Sequence, residues 1–484
     1  MTIRKGLRGG SYTPLSDKDI RKIHETVLKT FDEVGIEVRH EEVRDLFRGA
    51  GASVDNETSI VKIPPRVVEK LIGQAPATVT LCGRDEDGTH DCIIGENRVY
   101  MGTGGTALNV QDPGSNDARR STLYDIKDMA RLVDKLDNIH FYMLNVYPNE
   151  LAGEDVDINR FGTALQYTQK HIMGGVYTVK GVNDVIAMAE IIAGGRDKLL
   201  DRPFISMVTC VVSPLRLDSH YSQLTMEVAK HRIPVVVPSE PLSAATSPVT
   251  LAGTLVIQTV DTLAGVMLAQ LVTPGTPVIY GSVASVADLA TLKYLSGAIE
   301  MGLLNAGGSQ MAQFYHLPFY ATAGMSDSKV NDSQAGYETA LSNLLVALAG
   351  GNFIHDAAGF LEFCMTASYD KLVIDNDIIG MTMRAVEGIT VSDETLAFDL
   401  IKKVAPGGSF ISESHTRRHM RREQYISSLA DREDRETWQR DGARDSRQRA
   451  TEKAQSVLSE TPRMMIPGDV TARLNSTFPN LILP

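Results

Sequence analysis

The sequence predicts an α/β protein: a (β/α)8 barrel of the TIM type with an N-terminal α+β layer and a C-terminal helical extension. Eight short apolar runs rich in β-branched residues alternate with helical stretches between residues 97 and 390. Each run is nearly continuous in apolar character, as expected for a strand covered on both faces. The runs recur at roughly 30–45 residues, the spacing of a strand-plus-helix unit, and eight units in about 290 residues favour a closed barrel over an open sheet.

The predicted strands and helices follow from these periodicities. The strands are 99–102, 141–146, 172–178, 204–212, 233–237, 277–281, 319–324 and 352–356. The helices are 124–136, 156–169, 182–193, 219–231, 251–272, 294–314, 333–349 and 376–389. The segment 251–272 is the most apolar of these, but it contains Gln258, Asp261 and Gln270 and therefore indicates a buried barrel helix rather than a membrane span.

The flanking regions differ in character from the barrel, so we predict three parts: 1–96, 97–390 and 391–484. In the first part, Ser16 precedes an amphipathic pattern that Gly35 ends, which predicts a capped helix. Short helices are expected near 41–48 and 66–72, and a small antiparallel pair at 77–81 and 91–94. In the last part, 394–404 predicts a helix, 416–459 carries dense alternating charge, and the apolar tail 461–484 is expected to pack on the barrel or a neighbouring subunit.

Composition excludes several function classes. A net charge of −12 argues against nonspecific binding of nucleic acid or anionic lipid, which requires a cationic surface. The four cysteines are widely spaced without a CxxC pair, so we expect neither a disulfide framework nor a zinc site, and a cytoplasmic setting. The first twelve residues lack the apolar stretch of a signal peptide.

Two motifs are weak. Gly102, Gly104 and Ala107 match a dinucleotide fingerprint loosely, but turn residues follow where that fingerprint needs a helix, so no bound nucleotide is expected. His415 and His419 share a predicted helix face, yet their arginine neighbours would repel a metal ion.

Candidate site residues cluster where the predicted strands end, because barrel enzymes carry their chemistry at the carboxyl ends of the strands. Aromatic side chains recur there although they make up only 6% of the chain, which favours a box for a cation or a flat ligand. His355 would be a poor filler for an apolar barrel layer and is a candidate ligand-binding group. The candidates at or beside strand ends are Tyr100, Asn145, Tyr177, Glu240, Ser326, Asp327, His355 and Phe360.

The chain resembles the trimethylamine methyltransferase family. The resemblance rests on VYMGTGGTALN at 99–109, LDNIH at 136–140, SDSKVNDSQAGYE at 326–338 and the order of the three parts. It implies a (β/α)8 barrel that moves a methyl group from an amine to the cobalt of a corrinoid (cobalamin) carried by a separate partner protein. The founding members use pyrrolysine, whereas this chain has only standard residues. It therefore resembles the non-pyrrolysine branch, whose characterised members demethylate quaternary amines such as glycine betaine, proline betaine or carnitine.

Under this resemblance, glycine betaine is the expected substrate and dimethylglycine the product, with no metal or nucleotide bound by the chain itself. The residue roles rest on strand-end position rather than on matched family residues. Catalytic roles are predicted for His355, which would bind or orient the carboxylate, and for Glu240, which would add counter-charge. Tyr100, Tyr177 and Phe360 are expected to face the trimethylammonium group. Asn145, Ser326 and Asp327 are expected to contact the substrate or the edge of the corrinoid.

Alternative functions remain open at this point. A barrel lyase or hydrolase acting on a small anionic substrate would need a carboxylate pair or a lysine in the mouth, and Lys180 and Lys329 are near candidates. A betaine-binding protein without catalysis would need only the aromatic box. Self-association into a homo-oligomer is expected from the apolar tail.

Overall fold

The computed structural model describes residues 3–484 and shows an α/β fold with mixed sheets. Eight mutually parallel strands form the central layer. They are β1 (Arg98–Thr103), β2 (Tyr142–Met143), β3 (Ile172–Gly175), β4 (Ile205–Val208), β5 (Val235–Ser239), β6 (Val278–Ser282), β7 (Phe319–Thr322) and β8 (Phe353–Ala358). One long helix follows each strand: α1 (Leu123–Asp134), α2 (Val156–Tyr167), α3 (Val179–Ala193), α4 (Ser219–His231), α5 (Leu251–Val272), α6 (Ile299–Phe314), α7 (Ser333–Leu348) and α8 (Tyr369–Glu387).

The hydrogen-bonded order of the strands is β1-β8-β7-β6-β5-β4-β3-β2. The short strand Leu7–Arg8 adds antiparallel to β1. At the two ends of this order, isolated parallel bridges join Gly102 to Phe141 and Ala107 to Val146. Between them, the Thr103 hydroxyl donates to the Met143 carbonyl at 2.7 Å and accepts from the Met143 amide at 2.8 Å. Contacts therefore connect β1 and β2, the first and last strands of the order.

The inner face of the sheet is filled by large side chains that alternate along the strands. Phe141 and Phe353 stack with ring centroids 3.4 Å apart. A side chain at Gly102 would collide with the Phe141 ring, so the strand needs glycine there. The hairpin Val79–Leu81 and Cys92–Ile94 adds its apolar residues to this inner cluster. A second, larger cluster lies between the strands and the surrounding helices.

The N-terminal elements match the sequence predictions. Helix Asp17–Lys29 begins at Ser16, whose side chain forms a capping box with Asp19, and a π-helical turn, Thr30–Val34, leads to Gly35. Helices Glu41–Ala50 and Pro65–Ile72 follow as predicted, and the antiparallel pair of the hairpin is confirmed. The strands Ile36–Val38, Ser53–Asp55, Ile60–Lys62 and Arg216–Leu217 form one further small sheet.

Four of the eight helices begin at residues other than those predicted. Helices α1 and α3 begin one and three residues earlier, at Leu123 and Val179. Tyr294–Leu295 is a short strand, and α6 begins only at Ile299. In contrast, α8 begins seven residues earlier than predicted, because its first two turns bury polar residues that interrupt the apolar pattern. Lys371 pairs there with Asp375 at 2.9 Å, one turn away, and both side chains are buried. Two small sheets follow the strand ends. One consists of Leu242–Ser243, Ser285–Ala287 and Tyr294–Leu295, and the other of Phe360–Leu361, Thr366–Ser368, Asn109–Gln111 and Ala118–Arg120.

The C-terminal part is helical. The single helix predicted over 394–404 is divided into Asp393–Leu396 and Phe398–Val404 at Ala397, which has a positive φ of 51°. Further helices are Ser414–Glu423, Arg435–Arg440, Ser446–Ser459 and Gly468–Thr477. The tail packs on helix α2 of the same chain: the Met465 amide donates to the Gln166 carbonyl at 2.9 Å, and Leu481 lies against Gly162. Of the two packing partners predicted for the tail, the structure shows the same chain, and self-association stays a prediction.

Helix α5 is long and apolar enough to cross a membrane by length and composition alone, but 78% of its most apolar window is buried inside the protein. Such burial is typical of a core helix and agrees with the interpretation from its polar residues.

Candidate functional site

A cavity of about 420 Å³ opens at the carboxyl ends of the eight strands. Every strand, or the turn directly after it, contributes to its wall, from Thr106 beyond β1 to Asp356 in β8. This is the end of the sheet at which the sequence predicted the site. Five aromatic side chains contribute to the wall: Tyr177, Tyr221, Tyr294, Tyr320 and Phe363.

Glu240 is the most unusual group in the wall. It follows β5 directly, and its accessible surface faces the cavity. Among residues 3–484, none donates a hydrogen bond to its carboxylate or forms an ion pair with it. Enclosure by protein, with a smaller contribution from the Asp356 carboxylate, raises the pKa of Glu240 to about 7. Because no lysine or arginine of the described chain lines the cavity, this carboxylate is available to a cationic ligand.

His355 and Asp356 lie side by side on β8. The His355 Nδ1 atom is 3.0 Å from Asp356 Oδ2, and the Nε2 atom bonds the Thr322 hydroxyl. The ring of Tyr320 stacks on His355 with centroids 3.9 Å apart. Asp356 adopts a positive φ of 58° at a register shift of β8, and its carboxylate fills the space beside Gly104 where a Cβ would lie. The imidazole thus packs on one aromatic residue of the wall and lies next to a carboxylate, to which its Nδ1 atom donates no hydrogen bond.

Tyr177 and Thr106 share a buried cation behind the wall. Arg160 of α2 is fully buried and donates to the Tyr177 hydroxyl at 3.2 Å and to Thr106 Oγ1 at 2.9 Å. Its remaining terminal N–H groups donate to the carbonyls of Leu144 and Gly175. The arginine therefore fixes the ends of β2 and β3 and two cavity hydroxyls at once.

Asp261 of α5 supports the opposite part of the rim. Its carboxylate accepts from the Ser213 and Ser239 hydroxyls at 2.6 and 2.8 Å and from the Leu215 amide at 2.6 Å. Burial outweighs these hydrogen bonds and raises the pKa of Asp261 to about 7. The residue connects the loop after β4 with the end of β5, next to Glu240.

Of the eight predicted site residues, three line the cavity: Tyr177, Glu240 and His355. The predicted placement of Tyr100 is corrected, because its hydroxyl lies beside Gly6 and its ring packs against His140 and the inner cluster near the hairpin. Tyr100 is the third residue of β1 and lies below the carboxyl end.

Asn145 and Phe360 also lie outside the cavity wall. Because β2 ends at Met143, strand alternation does not carry Asn145 inward, and its side chain meets Met129 Sδ at 2.8 Å and accepts from the Tyr142 hydroxyl. Phe360 begins a return strand after Gly359 and is fully buried in the larger core cluster.

Ser326 and Asp327 act behind the wall. The Ser326 hydroxyl donates to Glu338 at 2.6 Å, and Asp327 accepts from the Ser296 hydroxyl and amide at 2.6 and 2.8 Å. These bonds tether the segment after Tyr294, so both residues support the cavity without lining it.

Sequence reasoning missed Thr106, Arg160, Tyr221, Tyr294, Tyr320 and Asp356. Tyr320 lies in a strand identified correctly, and its aromatic type was a usable signal. Tyr294 was hidden by its assignment to a helix, and Asp356 by a bulge that the strand pattern does not reveal. Nothing in the sequence connects Arg160 with residues 54 and 17 positions away.

The lysines that an imine mechanism would use lie elsewhere. Lys180 pairs with Asp184 on the surface at 2.5 Å. Lys329 is exposed and does not line the cavity; its Nζ atom lies 4.3 Å from the ring centroid of Phe363 and donates to the Asp327 carbonyl. Within residues 3–484 no group of three His, Cys, Asp or Glu side chains is placed to hold a metal ion.

Comparison of the sequence with known proteins identifies the family of this chain. Trimethylamine methyltransferase MttB of Desulfitobacterium hafniense (strain DSM 10664 / DCB-2) is 37% identical over 97% of this chain and 94% of its own length. Glycine betaine methyltransferase of D. hafniense (strain Y51) is 31% identical over 96% of both chains. The solved monomethylamine methyltransferase of Methanosarcina barkeri aligns over 94% of this chain and 98% of its own, at 11% identity and a TM-score of 0.49, which is too weak a similarity to define the fold. The family model Trimethylamine methyltransferase (MTTB) matches residues 3–478, and the chain therefore belongs to that family of methyltransferases.

Proposed function

We propose that the protein transfers a methyl group from a quaternary amine, with glycine betaine as the first candidate, to the Co(I) centre of a corrinoid carried by a separate protein. One observation carries the proposal: the cavity presents five aromatic side chains and the unpaired Glu240 carboxylate, and no described cationic side chain. Aromatic faces and a carboxylate attract a quaternary ammonium group, which offers no hydrogen bond. Family membership and the relative named as a glycine betaine methyltransferase support the reaction and the substrate class.

The chemistry favours a quaternary substrate. Cobalt(I) attacks a methyl carbon, the carbon–nitrogen bond breaks, and its electron pair stays on nitrogen. A quaternary ammonium then leaves as a neutral tertiary amine without needing a proton. Trimethylamine would leave as an amide anion unless it were first activated, and this chain contains only standard residues.

Positioning is then the main task of the cavity, which must hold methyl, nitrogen and cobalt in line. Positive charge disappears from nitrogen in the transition state, so cation binding that is equally strong throughout would lower KM without raising kcat. A carboxylate whose pKa lies near 7 is a moderate counter-charge for this purpose. His355 contributes by packing its ring against Tyr320.

We infer further that the eight strands close into a (β/α)8 barrel. The two parallel bridges and the Thr103–Met143 hydrogen bonds between β1 and β2 support closure. A closed ring gives one mouth, at which a corrinoid protein could present its cobalt to the cavity. The reducing cytoplasm fits the four free cysteines.

The test mixes the protein with cob(I)alamin and glycine betaine and follows the visible spectrum. We expect conversion of Co(I) to methyl-Co(III), with dimethylglycine formed in equal amount. Tetramethylammonium and choline serve as further quaternary amines, and trimethylamine as a tertiary amine that should give no product. If no quaternary amine yields methyl-Co(III), the proposal is wrong, and binding of betaine alone would then favour a binding protein.

A further inference from the structure

Two parts of the cavity wall differ in charge. Glu240 follows β5, and its carboxylate has no partner among the residues that the structure describes. Thr106 follows β1 and Tyr177 follows β3, on either side of β2, and the buried guanidinium of Arg160 lies behind both. One part of the rim is therefore negative and another is backed by a positive charge.

Arg160 is a buried cation without an ion pair. Its side chain is fully buried, and no carboxylate of residues 3–484 lies within salt-bridge distance of it. The nearest acid on its own helix, Asp157, accepts instead from the amides of Tyr177 and Thr178. Buried arginines are normally paired, so an unpaired one needs an explanation.

The hydroxyl groups of Thr106 and Tyr177 lie between the Arg160 guanidinium and the cavity. Thr106 Oγ1 and Tyr177 Oη each accept a hydrogen bond from Arg160, so each keeps its own hydrogen free to donate. Neither hydrogen meets an acceptor in the described part of the chain, although both residues line the cavity. The two terminal nitrogens of one planar group hold these hydroxyls side by side, an arrangement suited to the two oxygens of a carboxylate.

We propose that Thr106 and Tyr177, backed by Arg160, form a subsite for the carboxylate of a zwitterionic substrate, while Glu240 and the aromatic faces take its ammonium group. The inference rests on the proposed function and narrows it: the preferred quaternary amine carries a carboxylate. It also moves the carboxylate from His355 on β8, where the sequence predicted it, to residues that follow β1 and β3. The Nε2 atom of His355 bonds the Thr322 hydroxyl, and its Nδ1 atom lies 3.0 Å from the Asp356 carboxylate, which would repel a second carboxylate at that position.

The experiment compares glycine betaine with tetramethylammonium, a cation of the same head group without the carboxylate. Calorimetry on the enzyme alone gives both affinities, and methyl transfer to cob(I)alamin gives kcat and KM. In the double variant Thr106→Val, Tyr177→Phe, which retains both shapes, the ratio of betaine affinity to tetramethylammonium affinity should fall about tenfold or more. KM for betaine should rise in parallel while kcat changes less.

Tyr147→Phe is the matched control, because this neighbouring ring packs on Tyr177 at 5.6 Å but does not contact Arg160. The ratio should stay at the wild-type value in that variant. A wild-type enzyme that binds both ligands equally, or a double variant with an unchanged ratio, would overturn the subsite. Methyl transfer with an unchanged ratio would leave the proposed function standing, whereas a carboxylate preference without any methyl transfer would refute the function and keep the subsite.

Discussion

At the residue scale, the outstanding feature is the Glu240 carboxylate, which has no cationic partner among the described residues. Enclosure by protein and the nearby Asp356 carboxylate disfavour the charged form of Glu240 and raise its pKa to about 7. A bound quaternary ammonium would stabilise the charged carboxylate and therefore lower the pKa of Glu240. Substrate binding and proton release are therefore linked at this residue.

This linkage gives a pH prediction. Below pH 7 Glu240 is mostly protonated and attracts a cation weakly, and above pH 7 it is charged, so the Kd for glycine betaine should decrease as pH rises and level off near pH 8. Glu240→Gln should raise Kd about tenfold at pH 8 and remove the pH dependence. Calorimetry in buffers of different ionisation enthalpy measures both the Kd and the protons released.

Glu300→Gln provides the comparison, because Glu300 is an exposed carboxylate of α6 outside the cavity wall. It should bind betaine as the wild type does. A Kd that is flat between pH 6 and pH 8 in the wild type would contradict the assigned role of Glu240.

How far the residues could be predicted depended on local geometry. Glu240, Tyr177 and His355 lie where strands were identified, so the rule about carboxyl ends found them. The predictions that Tyr100 and Asn145 line the cavity were wrong, because the rule requires the exact end of each strand and β2 is only two residues long. Arg160 and Thr106 are joined only through folding, so no local pattern could pair them.

At the element scale, α5 stabilises the rim through Asp261. Its carboxylate accepts three hydrogen bonds from the loop after β4 and the end of β5, both of which border the cavity. The sequence located α5 correctly and flagged Asp261 as a polar interruption, but gave no partner for it.

Asp261→Ala should therefore lower the free energy of unfolding by about 3 kcal/mol, because it leaves buried donors without an acceptor. Asp261→Asn retains an oxygen for the Leu215 amide and resembles the protonated acid, so its cost should be about 1 kcal/mol. Denaturant unfolding measures both. Equal losses in the two variants would show that the hydrogen bonds are not the cause.

The elements themselves were predictable where apolar periodicity was strong. All eight strands and all eight helices occur in the predicted order, with several helix ends matched to the residue. At the start of α8, buried polar residues with hydrogen-bond partners far away in the sequence interrupt the apolar pattern. Tyr294–Leu295 was assigned to a helix but pairs instead with the strand Ser285–Ala287.

At the scale of the whole molecule, the tail returns to the helix that holds Arg160. Leu481 is 8% exposed and packs against Gly162 of α2, whereas its neighbour Ile482 is 50% exposed. Asn159 of the same helix exchanges hydrogen bonds with Asn480 and Ile482. The last residues of the chain thus stabilise the wall that carries the proposed carboxylate subsite.

Leu481→Ala should destabilise the protein by about 2–3 kcal/mol through loss of buried aliphatic surface. Ile482→Ala should cost less than about 1 kcal/mol, because half of that side chain is already in water. Thermal and denaturant unfolding check the difference. Equal effects would mean that the tail does not pack on α2 in solution.

The unpaired state of Glu240 has a consequence for product release. In the proposed reaction the nitrogen enters with a fixed positive charge and leaves neutral. Once the methyl group has departed, the permanent charge opposite Glu240 is gone, and the tertiary amine regains a charge only by taking up a proton, for which it is a stronger base than the carboxylate. Attraction between Glu240 and the product is therefore weakest directly after the carbon–nitrogen bond breaks, while the nitrogen is still unprotonated.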